Sequence, residues 1–282
     1  TPRLSSAASD VYKRQTQATE PSTLVPIVRG ARQVVLVGDH RQLSPTVISR
    51  RASDGGLSRT LFERIMDMGV TPHLLTKQYR MHPAISEFPN QQFYSGKLED
   101  GVSESERRAP AGILWPDWER PVAFLPVEGG EMTGPDGASK ENRVEASWVA
   151  KIVGDIIDAG EIEEDGIGII TPYAAQVRAI RDILPETLSS IEVKTVDGYQ
   201  GREKEVIVFS CVRSNSEGRI GFLSDPRRLN VALTRAKRGL IVIGDPSTLR
   251  EDENWSAWLE HARKHNLEAV SYTHLTLPTK VE

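Results

Sequence analysis

Short β-branched runs alternate with amphipathic segments along most of this chain, and that order narrows the fold more than any single motif. Gln33-Val34-Val35-Leu36-Val37 has the length of a buried strand and runs into Gly38-Asp39, a strand-to-loop transition. Leu57, Leu61, Phe62 and Ile65 recur at helical spacing before Gly69, and residues 73–76 read as the next strand. Val149, Ile152, Val153, Ile156 and Ile157 make an amphipathic helix closed by Gly160. Residues 167–171 are strand-like, and Ala174, Val177, Ile180 and Leu184 give another helix. Residues 192–196 and 205–212 read as strands, 226–237 as a helix with Pro226 in its first turn, and 240–243 as a last strand. The alternation predicts an α/β fold, a mostly parallel sheet with helices on both faces. Residues 101–142 break the rhythm: rich in Gly, Pro, Glu and Ser, they predict exposed loops around Gly129-Gly130 and 134–137.

Composition removes several classes. The 282 residues allow one large or two small domains, and no apolar run nears the ~20 residues of a membrane span. The absence of a charged-then-apolar leader predicts a cytoplasmic protein, with the nucleus as the alternative. Cys211, the one cysteine, sits in an apolar strand pattern where packing is its expected role. A net charge of −4 means that nucleic acid must be met by a local groove. The stretch 227–238 predicts one, holding Arg227, Arg228, Arg235, Lys237 and Arg238 without an acidic residue. His261 and His265 stand four apart on an expected helix. The sequence offers them no third ligand and no HExxH glutamate, so a solvated helix face and no metal site are predicted.

The two ends read differently from the body. Asp10-Val11-Tyr12-Lys13-Arg14-Gln15 can be encoded by a DNA string whose reverse complement, in another frame, spells Val270-Ser271-Tyr272-Thr273-His274. One string in two orientations points to a transposon-end sequencing adapter. Residues 1–15 and 270–282 are therefore expected to be foreign tails.

Four blocks inside those limits carry chemistry. Gly38-Asp39-His40-Arg41-Gln42-Leu43 follows the first strand, where α/β sheets bind ligands, and Gln42 can orient a water against a terminal phosphate. In Gln78-Tyr79-Arg80-Met81-His82-Pro83, Tyr79 offers a ring for stacking and Arg80 a planar fork for phosphate oxygens. Standing alone, the same block also fits a core tyrosine and a surface charge. In the block from Val193 to Glu203, Gly198 and Gly201 allow close backbone approach, Thr195 can bond a phosphate, and Glu203 can accept from ribose hydroxyls. In the last block, Gly221-Phe222-Leu223 precedes Arg227 to Lys237, where helical spacing would put Arg228 and Arg235 on one face.

In this order and spacing the blocks resemble the superfamily 1 helicases, specifically the up-frameshift type, RNA helicases of nonsense-mediated mRNA decay. The resemblance spans residues 16–269 and includes Gln17-Ala18-Thr19-Glu20-Pro21 and Thr171-Pro172-Tyr173 with Gln176. It implies a RecA-like P-loop NTPase fold with residues 16–72 as the end of a first domain and 73–269 as a complete second one. It also implies ATP with Mg²⁺ in a cleft between the domains and single-stranded RNA, or alternatively DNA, across their top. Carried over residue by residue, Gln42 senses the γ-phosphate, Arg80 and Arg235 reach it as arginine fingers, Tyr79 stacks on adenine, and Glu203 and Gly201 border the ribose. Pro172, Tyr173, Thr195 and Arg213 are implied to line the nucleic-acid backbone. One departure matters: no GxxxxGK[ST] loop and no Asp-Glu pair ahead of Thr16 occur, so the carboxylate ligands of Mg²⁺ are not in this stretch. The implied parent is an ATP-dependent helicase whose mRNA-decay partners bind regions not present here.

Overall fold

The computed structural model describes residues 17–113 and 115–269; both expected foreign tails lie outside the described residues. The chain divides into two compact units, Thr1–Leu75 and Thr76–Glu282.

In the first unit, α1 (Glu20–Ile27) and α2 (Leu61–Asp67) are tied by Arg64 Nε, which donates to both Glu20 carboxylate oxygens at 2.9 and 3.0 Å. The helical spacing placed the start of α2 too early. Ser53–Leu57 instead makes a π-type turn with Gly56 at φ 91°, and Thr60 then starts α2 through a reciprocal capping box with Glu63. The strand expected at residues 33–37 is not formed, and Val35 is 70% exposed. A β-branched run gains its stability from a ladder partner and a covered face, and the described residues of this unit supply no partner strand.

The second unit opens with β1 (Lys77–Gln78), displaced from the strand expected at 73–76, then α3 (Pro83–Tyr94) and β2 (Glu99–Asp100), which pairs with β1 in parallel. Where loops were expected, β3 (Val122–Pro126) forms, followed by an antiparallel hairpin of β4 (Glu131–Thr133) and β5 (Lys140–Asn142). The apolar part of β3 is only four residues between two prolines, too short to show a period, yet Phe124 is fully buried. Then come α4 (Arg143–Asp158), β6 (Ile167–Thr171), α5 (Ala174–Ile183), β7 (Glu192–Thr195), the short α6 (Val196–Tyr199) and β8 (Lys204–Ser210). The chain closes with α7 (Pro226–Leu233), β9 (Ala236–Gly244), α8 (Pro246–Leu249) and α9 (Glu253–Lys264).

Five strands pair in parallel in the order β3-β9-β8-β6-β7. Alternation along them loads both faces. Val206 and Val208 of β8, with Ile167 and Ile169 of β6, pack in one core with Val149, Val153 and Ile156 of α4 and Ile180 of α5. On the other face Phe209 stacks on Trp255 at 5.9 Å and Phe124 meets Trp258 edge-on at 5.3 Å. Each such fully buried side chain contributes roughly 1.5–3 kcal/mol relative to exposure. This is the RecA-like α/β architecture, a parallel sheet with helices on both faces. Among the described residues no helix is long and apolar enough to cross a membrane.

One helix ends earlier than its spacing suggests. Thr234 caps α7, its N–H reaching Asn230 O, and β9 starts at Ala236 opposite Lys204. Arg235 therefore lies between helix and strand, not one helical face away from Arg228.

Candidate nucleotide and nucleic-acid sites

Two groups of the expected residues form, at opposite ends of the central sheet. The first lies at the amino ends of β8 and β9, where Lys204 N–H donates to Arg235 O at 3.1 Å. Glu203 and Arg235 thereby flank adjacent strand starts. Arg80 reaches both: its Nε donates to Glu203 Oε2 at 2.6 Å and its Nη1 to Thr234 O at 3.0 Å. Arg235 Nη2 donates to Thr234 Oγ1 at 2.8 Å, so both arginines meet on Thr234. Lys237 Nζ stands 3.5 Å from Glu203 Oε1. Burial raises the Glu203 carboxyl, but the Arg80 bond and charge, with Lys237, outweigh it and hold it below the ordinary carboxylate value.

The two arginines differ in access. The Arg80 side chain is 31% exposed, whereas Arg235 is 2% exposed and its Nε donates back to Val231 O at 3.0 Å. Tyr79 is 62% exposed, and its ring lies over Gly101, where an added Cβ would stand 2.5 Å from it. The core reading of Tyr79 is thus excluded. Gly201 takes φ 78° with open space where a side chain would point. Gln42 belongs to the first unit, where its Nε2 donates to Asp39 Oδ2 at 2.8 Å.

The second group lies at the carboxyl ends of β6, β7 and β8, about 20 Å from the first by the rise along β8. Thr171 pairs with Thr195 in register, and Pro172 and Tyr173 follow at once. Thr195 caps α6, its Oγ1 accepting from Gly198 N–H at 3.3 Å. Tyr173 Oη accepts from Arg213 Nη1 at 3.3 Å and from Phe222 N–H at 3.2 Å. The Arg213 Nε donates to Glu131 Oε2 at 3.0 Å, and Arg213 is only 7% exposed. Burial lowers the Arg213 pKa, and the bonds to Tyr173 and Glu131 more than restore it. In this structure Arg213 is a buried clamp, not a cation open to a phosphate. Pro172 and Tyr173 are likewise buried, and the exposed aromatic surface here is Phe222, 55% exposed, packed on Tyr173 at 5.4 Å with the Arg228 guanidinium 5.2 Å over its ring.

Beneath this end lies a buried polar network. Gln176 Nε2 donates to Ser210 Oγ and Asn142 O, both at 2.9 Å, and Ser210 Oγ donates to Glu145 at 2.6 Å. Glu145 accepts from Val212 N–H at 2.9 Å, and Asn142 Nδ2 donates to Val212 O at 3.2 Å. Val212 is held at φ 74°, a left-handed conformation that costs a β-branched residue about 1–2 kcal/mol. The network therefore pins the strained residue that aims Arg213.

A model described as AAA domain matches residues 57–247, and another with the same description matches residues 15–50. The chain belongs to the AAA domain family. It is 47% identical over 247 residues to the Regulator of nonsense transcripts 1 homolog of Drosophila melanogaster, covering 85% of this chain and 21% of that protein. It is 45% identical to the Arabidopsis thaliana homolog, covering 89% and 20%, and 44% identical to the ATP-dependent helicase NAM7 of Saccharomyces cerevisiae, covering 88% and 26%. These relatives bear out the resemblance to the up-frameshift type of superfamily 1 helicase. The chain spans about a fifth to a quarter of their length. Among solved structures, the PRRSV helicase matches at 15% identity with a TM-score of 0.44, covering 83% of this chain and 34% of that one.

Within this AAA domain the expected basic groove is not open. Arg228 pairs with Asp197 at 3.2 Å, Lys237 with Glu205 at 3.2 Å, and Arg238 with Glu161. Acidic partners remote in sequence neutralise a stretch that carries none of its own. Gln78 was missed, although its side chain holds the Tyr79-Arg80 turn: Oε1 accepts from Arg80 N–H at 2.9 Å and Met81 N–H at 2.8 Å, while Nε2 donates to Met81 O and Asp100. Its place at the head of the Gln-Tyr-Arg block was the only sequence signal. Arg107, which donates to the carbonyls of Tyr79 and Arg80, gave none. The solvated face expected for His261 and His265 is also corrected, because α3 brings Glu87 to both rings, which are partly buried.

Proposed function

We propose that this chain is the second motor domain, with the end of the first, of an ATP-dependent RNA helicase of nonsense-mediated mRNA decay, working in the cytoplasm. The observation that carries the proposal is the meeting of Arg80 and Arg235 on Thr234 beside Glu203. Two guanidinium groups at one edge of a parallel sheet fit an oligophosphate delivered from a neighbouring domain. Tyr79 would take the adenine on its exposed face, Glu203 and Gly201 would border the ribose, and Arg80 would stabilise charge at the γ-phosphate. Arg235 would join it after releasing Val231 O. Gln42 would order the attacking water from the first domain. When bound, ATP with Mg²⁺ supplies the phosphoryl-transfer chemistry; these side chains bind, orient and stabilise charge.

At the other end of the sheet, Thr195 and Phe222 would line the path of single-stranded RNA, Phe222 as the stacking surface, with the buried Pro172 and Tyr173 as its support and Arg213 fixing Tyr173. β8 runs from Glu203 toward Arg213 and joins the two ends rigidly, which suits a motor that converts nucleotide state into a grip on the strand. The regions of the relatives outside this match would carry the decay-factor contacts. The test uses the native full-length protein: ATP hydrolysis stimulated by single-stranded RNA and unwinding of an RNA duplex are expected. Hydrolysis stimulated by DNA alone, or no strand-dependent hydrolysis, would overturn the assignment.

A further inference from the structure

A second constellation lies where α3 packs against α9. Gln92 Nε2 of α3 donates to Asn254 Oδ1 of α9 at 3.0 Å, and the Phe88 ring stands 5.5 Å from that of His261. Past the Phe88–His261 contact, one ring nitrogen each from His261 and His265 and a carboxylate oxygen of Glu87 all lie within 4.8 Å of one another. We propose that Glu87, His261 and His265 form a transition-metal site, with Zn²⁺ as the metal of best fit.

The geometry is close to what the ion requires. Ligands at ~2.0–2.1 Å in a tetrahedron stand about 3.3 Å apart. His265 Nε2 and Glu87 Oε1 are already 3.6 Å apart. The remaining contraction is a χ rotation of side chains at a helix end. His265 Nε2 is buried and makes no hydrogen bond, an orphaned polar atom that a metal bond would satisfy. His265 is the C-cap of α9, its N–H bonded to His261 O at 3.1 Å, which puts both imidazoles at the helix C-terminus, the negative end of its dipole.

The protonation states suit a cation. Burial, and next the neighbouring His265, pull His261 down to about 4, leaving a neutral imidazole at neutral pH. Burial raises Glu87, but the Arg120 bond and charge outweigh it and keep the carboxylate ionised. Arg120 acts in two directions. It occupies Glu87 Oε2 and so turns Oε1 toward the histidines, as outer partners of metal ligands do. Its charge also opposes the metal, which weakens the affinity. Two imidazoles and one carboxylate select Zn²⁺, Co²⁺, Ni²⁺ or Cu²⁺ over Mg²⁺, so the site does not compete for the ion that accompanies ATP. A bound metal would clip α9 to α3, the helix that starts three residues after Arg80.

The test is calorimetric titration of the purified 282-residue chain with Zn²⁺, alongside Co²⁺ titration read by visible absorption. One equivalent of each should bind saturably, and Mg²⁺ should give no signal. His265→Gln and Glu87→Gln should each weaken Zn²⁺ at least about tenfold. His73→Gln, which changes an exposed histidine that is not one of the three ligands, should leave the affinity unchanged. If either site variant unfolds, the Co²⁺ spectrum of the unchanged protein decides: intense four-coordinate bands support the site, and weak six-coordinate bands overturn it. Absence of saturable binding, or equal affinity in the His265 and Glu87 variants, also overturns it.

Discussion

Arg80 Nε donates to Glu203 Oε2 at 2.6 Å across 123 residues of chain, while the other arm of the same guanidinium holds Thr234 O. The fork is thus preset by two anchors on separate segments, at the starts of β8 and β9. A third anchor, Arg107, fixes the Arg80 carbonyl at 2.9 Å. In the native full-length protein Arg80→Ala should lower RNA-stimulated ATP turnover by about 10³-fold or more, the effect of removing an arginine finger. RNA affinity should change little, because charge stabilised only in the transition state is not expressed in binding. Arg80→Lys should rescue poorly, since an ammonium cannot span Glu203 and Thr234 in one plane. Equal losses of turnover and RNA affinity would identify a structural arginine instead.

The Gln78 side chain makes four hydrogen bonds, two accepted from the backbone of Arg80 and Met81. Gln78→Ala should therefore cost about 1–3 kcal/mol of stability, since the part-buried N–H groups of Arg80 and Met81 lose their acceptor. Gln78→Glu should be nearly as harmful, because it retains the acceptors but sets a second carboxylate against Asp100. Urea unfolding of the chain measures both. A loss below about 0.5 kcal/mol, the range of an ordinary surface change, would refute a positioning role.

Much of the second unit was legible because burial and period coincide there. α4, β6 and α5 follow their apolar patterns closely, since each loads one face of a sheet that this chain completes. The strand expected at 33–37 had as strong a pattern and failed, because strand formation depends on a neighbour that the pattern does not name. β3 failed in the opposite sense, its four apolar residues hidden between prolines in a loop-rich stretch. For the site, residue types announced Arg80, Tyr79 and Glu203, but not their pairing. The basic stretch misled for the same reason: Asp197, Glu205 and Glu161 reach it only through the fold. His261 and His265 lacked a third ligand in sequence because Glu87 arrives on another helix.

Gly221 takes φ 60°, and an added Cβ would overlap the Arg213 guanidinium and stand 2.5 Å from Tyr173 Oη. Neither atom can retreat, as both belong to the Glu131–Arg213–Tyr173 chain of bonds. Gly221→Ala should destabilise the chain by about 1–3 kcal/mol and displace Phe222. Phe222→Ala should leave stability nearly unchanged but weaken single-stranded RNA binding by about 1–3 kcal/mol, the worth of one base–aromatic stack. Fluorescence anisotropy with labelled RNA at fixed salt reads the second effect. Unchanged affinity in Phe222→Ala would remove the ring from the RNA path.

Glu145 gives the chain a pH dependence of unusual sign. Full burial pushes its carboxyl up to about 8 from the ordinary 4.5, against bonds from Ser210 and Val212 that pull it down. Between those two values the folded state keeps a proton that the unfolded chain has lost. The folded state then binds more protons, so stability falls as pH rises across the window, by at most about 1.4 kcal/mol per pH unit. The shifted histidines slope the other way. Burial pulls His82 and His261 down to about 4 from 6.5, so their contribution is complete above pH 6.5 and is lost as pH falls toward 4. From pH 6.5 to about 8, Glu145 should therefore dominate the profile. Urea unfolding across that interval should show stability declining in the unchanged chain and nearly flat in Glu145→Gln. The variant keeps an acceptor for Val212 N–H, so a general loss of fold is not expected. The donors that converge on Glu145 favour its ionised form, and they supply the opposing outcome. A flat profile in the unchanged chain would mean that Ser210, Val212 and Asn142 hold a carboxylate there, and that Val212 is clamped by charge.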